Sequence, residues 1–197
     1  MMNPKIIIVV FLILIKSAVY GQVSFPLNAS GKIEISDVVI DSLKKEDLYA
    51  RASSWFESLP KTPGIKLNAI NEDPINGNIS GDLEFLVYYQ SGILQKVLGS
   101  VTYKLTLGVK DNKYRYTYTD FVFHYYKQNR NYQTVPTGKV KPLEDAKASG
   151  WQKNWNKCKV ATNTKVTNQI NAIKAKMTKA VAPAVSATKT EQKKLDW

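Results

Sequence analysis

A single cysteine, Cys158, and a single histidine, His124, occur in 197 residues, and these two shortages remove much chemistry. One thiol cannot form an intrachain disulfide, so stability has to come from burial. A lone cysteine of this kind is expected as a small buried hydrophobe. With one imidazole, most metal clusters are excluded, and a Ser-His or Cys-His relay could be built only on His124. The glycines of "NGNISG" and "GDLEF" suit turns, and no phosphate-cradling glycine pattern occurs. Long apolar runs are lacking as well. Ile6–Ile15 is ten residues long, half of the roughly 20 that a membrane-spanning helix needs. Lys5 precedes it, and Lys16, Val19 and Gly21 follow. That layout predicts a secretory signal peptide over residues 1–21, cleaved near Gly21, and so an exported protein, periplasmic or secreted. No cysteine stands at the end of the run, so an acylated-cysteine anchor is not expected.

Charge is present in quantity but unevenly placed. The net charge is +12, yet residues 22–126 hold 11 Lys plus Arg against 12 Asp plus Glu, and residues 127–197 hold 15 against 4. The basic character belongs to the C-terminal third, and the rest of the mature chain is close to neutral.

Strand signals fill the middle of the chain. Val97, Val101, Tyr103, Leu105, Leu107 and Val109 share one parity, and Ser100, Thr102, Lys104 and Thr106 share the other, so one face is dry and the other wet. Ile79, Leu83, Phe85, Val87 and Tyr89 repeat this pattern, and Ile65, Leu67 and Ala69 give a shorter version. In "DNKYRYTYTDFVFHYYK" tyrosines recur at every second position, which raises the idea of a base-stacking platform. Centring a hairpin on Asp111-Asn112 sets Tyr114 against Val109, Tyr116 against Leu107 and Tyr118 against Leu105, and paired residues share a face. The tyrosines therefore line a core. The parity fails at Asp120, and a β-bulge there returns Phe121 and Phe123 to the dry side.

Helical spacing brackets these strands. "GKIEISDVVIDS" reads as a first strand, followed by a helix over 44–59 with Leu48, Ala52, Trp55, Phe56 and Leu59 on one stripe. Downstream, Ala148, Trp151, Trp155, Cys158 and Thr162 form one helical stripe, and Val166, Ile170, Ile173 and Met177 form another. The order of elements, with "KKEDLYARASSWF" on the first helix and "VTYKLTLGVKDNKYRYTYTDFVF" across the last hairpin, resembles an uncharacterised family of exported proteins, mostly from Bacteroidetes, with a TATA-binding-protein-like fold. The similarity covers roughly residues 35–125. It implies an α+β domain, an antiparallel sheet in the order β-α-β-β-β-β-α with both helices on one face. It brings no catalytic residues and no cofactor. The expected organisation is a TBP-like domain with a C-terminal helix over 22–162, a basic amphipathic helix over 163–180, and a disordered tail over 181–197.

Three candidate sites follow. His124 could serve an envelope hydrolase, although a partly exposed strand histidine is the plainer expectation. Asp82 and Glu84 share a wet face, as an acid and base pair would, but such pairs decorate solvated sheets more often than they form a glycosidase site. A nucleic-acid role is not expected, because the wet face mixes Lys66, Lys104 and Arg115 with those carboxylates, and the DNA saddle needs two repeats. The C-terminal lysines, above all Lys165, Lys174, Lys176 and Lys179 beside the Val166 stripe, fit a helix that settles on an anionic membrane surface. The reading favoured overall is an exported, non-catalytic binding or interaction domain with a protein or envelope partner.

Overall fold

A computed structural model describes residues 23–91, 94–148 and 151–178. The expected signal peptide, the tail at 181–197 and Lys179 lie outside the described residues. The elements are β1 (Ile35–Ile40), α1 (Lys45–Ser58) with a 3-10 turn at Leu59–Lys61, β2 (Lys66–Asp73), β3 (Asn78–Ser91), β4 (Leu94–Lys110), β5 (Lys113–Gln128), β6 (Thr134–Pro142) and α2 (Gln152–Thr178). The strands form one antiparallel sheet in the order β1-β5-β4-β3-β2, with β6 also paired to β5. Both helices pack on one face.

The tyrosine hairpin has the expected register. Val109 pairs with Tyr114, Leu107 with Tyr116 and Leu105 with Tyr118, and all six side chains are buried. At the parity break, Asp120 and Phe121 together oppose Tyr103. Asp120 takes φ 57°, a left-handed conformation that aspartate tolerates better than most residues. The extra residue turns Phe121 inward, where its ring stacks on Tyr103 at 5.5 Å between centroids. It also separates two partners along the outer edge of β5. β1 pairs up to Tyr118, and β6 pairs from Val122 onward.

Four details correct the sequence reading. β6 was not expected, because "TVPTGKVKP" contains Pro136, Gly138 and Pro142, which speak against a strand interior. An edge position tolerates them. In β4, a bulge at Leu98 pairs Val97 with the exposed Tyr88, and Leu98 is buried in place of Val97. In β2, a bulge at Asn68 moves Ala69 off the face that Leu67 occupies, to lie opposite Asp82. The boundary expected at residue 162 corresponds to no break. One helix of 27 residues runs from Gln152 to Thr178, because both stripes meet the same sheet.

Contacts from distant parts of the chain hold the helices in place. Asp111, in the β4–β5 turn, accepts the Lys45 backbone N–H at 2.9 Å and so caps the start of α1, where no local side chain does. Phe56 of α1 lies against Gly81 of β3, where a Cβ would come within 2.8 Å of its ring. Arg51, buried on α1, donates from Nη1 to the Met177 carbonyl, placing a cation at the negative end of α2. Trp155, Cys158, Val166, Ile173 and Met177 of α2 are fully or almost fully buried, and burial of each large apolar side chain contributes about 1.5–3 kcal/mol. Among the described residues, no helix is long and apolar enough to cross a membrane.

Candidate functional site

A groove of about 1180 Å³ lies between the N-terminal arm and the first half of α2. The arm is extended, so Val23, Phe25 and Leu27 alternate toward one side. A tight turn anchors it: Asn28 Oδ1 accepts the N–H groups of Ser30 (3.0 Å) and Lys32 (3.1 Å), and Leu27 bridges to Ile33. Phe25 stacks on Phe121 at 6.3 Å, and Ile33 is buried. The arm is thereby part of the folded body. The opposite wall is helical, with Lys153, Asn156, Lys157 and Val160 among its lining residues, and the β6–α2 connection closes the end with Glu144, Ala146 and Lys147.

Gln152 and Trp155 fix that wall. The Gln152 side chain accepts the Ala148 N–H at 3.1 Å and donates to the Ala146 carbonyl at 3.3 Å and to Asn156 Oδ1 at 3.0 Å. Trp155 Nε1 donates to the Asp145 carbonyl at 2.8 Å. Lys141 and Lys159 lie over the Trp155 ring at 5.6 and 5.8 Å, at cation–π range.

The groove is electropositive and apolar together. Lys147, Lys153, Lys157 and Lys159 line it against the single carboxylate Glu144. None of these lysines has a carboxylate at ion-pair distance among the described residues, whereas Lys141 is paired with Asp145 at 2.6 Å. Burial lowers the pKa of the Lys159 amine, with Asp145 and Glu144 drawing it back up and Lys141 opposing them. On the apolar side, Leu27 is 58 % and Val160 48 % exposed.

The residues singled out in the sequence are dispersed over the molecule. Lys165, Lys174 and Lys176 lie on the second half of α2, away from the groove. Lys174 is 3.8 Å from Asp37 and lies over Tyr116, and Lys165 lies over Phe85. Beneath them Val166, Ile173 and Met177 are buried against the sheet, with Ile170 partly buried, so the stripe expected to meet a membrane is covered by protein. His124 is half-buried on the open sheet face, with Nε2 3.0 Å from Thr102 Oγ1. Asp82 and Glu84 share that open face, and Glu84 faces Lys66 at 3.7 Å. Among the described residues, no group of three or more His, Cys, Asp or Glu is arranged to hold a metal ion. Cys158 is buried and free, and burial pushes its thiol pKa up to about 12, which suppresses the thiolate needed for nucleophilic chemistry. Sequence reasoning missed the groove; the only signal was the alternation Val23, Phe25, Leu27.

A six-stranded antiparallel sheet carrying both helices on one face defines the chain as a TBP-like α+β fold. Residues 36–124 match the model of a domain of unknown function with TBP-like fold, DUF4468. Two solved structures are similar. One is a TBP-like protein from Parabacteroides distasonis, with 18% identity, a TM-score of 0.57, and coverage of 77% of this chain and 96% of the other. The second is a DUF4468 family protein from Bacteroides ovatus, with 15% identity, a TM-score of 0.56, and coverage of 82% and 93%. No curated protein sequence matches the chain. At these identities the likeness concerns the fold, and function has to be argued from the site.

Proposed function

We propose that this protein is an exported, non-catalytic binding domain whose ligand surface is the groove between the N-terminal arm and α2. The observation that carries the reading is the combination of an apolar lining with four lysines that lack ion-pair partners among the described residues, in a concavity of about 1180 Å³. Small-molecule sites are typically concave and apolar with a few convergent polar groups, at about 300–1,000 Å³. Export rests on the Lys5, Ile6–Ile15, Gly21 layout. The hydrolase alternative draws little support, since the side-chain partner of His124 is a threonine and its ring lies on an open sheet face.

Native mass spectrometry of the exported protein, purified from the periplasm, tests the reading. The expected result is a retained component that is lost from a Leu27→Asp, Val160→Asp double variant, whose substituted side chains are both solvent-exposed. Identical spectra for the two folded proteins would remove the groove as the binding surface.

A further inference from the structure

We infer that the groove takes a long-chain fatty acid, with the acyl chain along the Val23, Leu27 and Val160 wall and the carboxylate among Lys153, Lys157 and Lys147. This rests on the groove being the ligand surface, and it follows from which polar groups there are free to bond. Of the two neutral amides in the helical wall, Gln152 is engaged at both its oxygen and its nitrogen. Gln152 Nε2 donates to Asn156 Oδ1 and to the Ala146 carbonyl, and Gln152 Oε1 accepts from the Ala148 N–H. Beside the Asn156 amide N–H and the Ser24 hydroxyl, what remains is mostly ammonium groups, which only donate. A head that only accepts and carries negative charge suits them, and carboxylate does both.

The tail is argued from the apolar side. Val23, Phe25, Leu27, Ile33 and Val160 offer no hydrogen-bonding side chain. An acidic peptide lying there would have to pair its amide groups with the arm's main chain or bury them without partners, which costs free energy for each one. An acyl chain has none to bury, and each methylene removed from water contributes about 0.8 kcal/mol. The single carboxylate, Glu144, is outnumbered by the four lysines, so the local field favours an anion over a zwitterion or a cation.

Isothermal titration of the purified exported protein with palmitate, below its micelle concentration, tests this, beside hexadecylamine and butyrate. Palmitate is expected to bind one to one and to weaken with salt, the amine of equal chain length to bind at least tenfold more weakly, and butyrate not to bind. A Lys153→Gln, Lys157→Gln double variant should lose about fivefold or more per lysine. Lys165→Gln with Lys176→Gln, outside the groove, should change nothing. Binding of the amine as tightly as palmitate would overturn the head-group assignment. Palmitate affinity unaltered by Val160→Asp would place any binding elsewhere and overturn the proposal. If native mass spectrometry finds a groove-dependent component and palmitate does not bind, the fatty-acid assignment falls while the groove stands; preference for an acidic peptide would have the same consequence.

Discussion

The two halves of α2 carry the same kind of sequence and meet different fates. Both set an apolar stripe against the sheet and turn lysines outward. In the second half the cations are drawn onto the folded body: Lys174 lies near Asp37 and over Tyr116, and Lys165 lies over Phe85. In the first half, Lys153 and Lys157 border a groove with no ion-pair partner among the described residues. A run of lysine therefore says little about binding until the surface opposite is known. The half that looked most like an anchor in the sequence is committed to the sheet, and the half read as structural borders the concave surface.

Removing a main support of one half should separate the two most clearly. Trp155→Ala deletes a fully buried ring that also bonds to the β6–α2 connection. It is expected to cost about 3–5 kcal/mol, read from urea unfolding, with the groove wall exchanging amide hydrogens first. A loss under about 1 kcal/mol would mean that the ring is not packed as described.

Arg51→Met strikes the opposite end. It removes the guanidinium that bonds the Met177 carbonyl, at an expected cost of about 1.5–3 kcal/mol. Hydrogen exchange should rise over 170–178 and stay unchanged over 152–160. Equal acceleration along the whole helix would show that α2 opens as one unit and that its halves are energetically inseparable.

Raising the pH probes the buried undersides of both halves. Burial raises the Cys158 thiol from 9.0 to about 12 beneath the first half. Burial likewise raises the hydroxyls of Tyr103, which bonds Gln169 beneath the second half, and of neighbouring Tyr118 above 10.0. The folded state keeps these protons while the unfolded chain releases them. Their linked stability is therefore intact below pH 9 and is lost as pH rises toward 12. Each group contributes a slope of about 1.4 kcal/mol per pH unit in its own window. Tyr118→Phe should flatten the limb above pH 10, and an unfolding midpoint independent of pH up to 11 in the native protein would contradict the burial.

The smallest effect belongs to the exposed pair. Lys174→Gln should cost less than about 1 kcal/mol and only at low salt, because the partners are 3.8 Å apart and open to water. A larger or salt-independent loss in thermal melts would show that Lys174 acts through its packing over Tyr116.

What the sequence by itself determined is what depends on neighbours along the chain. Period-two alternation placed Leu105, Leu107, Tyr116 and Tyr118 on one face, and the broken parity at Asp120 located a bulge, because a pleat has a fixed side-chain period. Helical spacing likewise identified Leu48, Trp55, Phe56, Trp155 and Cys158 as buried. Only the tertiary structure decided the rest. The pairing of β6 despite its prolines came from a vacant stretch of the β5 edge beyond the Asp120 bulge, and the cap on α1 came from Asp111, 66 residues away. The groove arose because an arm at Val23–Leu27 lies across from Lys153–Val160. Charge and polarity can be read from a single residue, but a partner, an edge or a cavity is a relation between distant segments. No local pattern encodes which of them will meet.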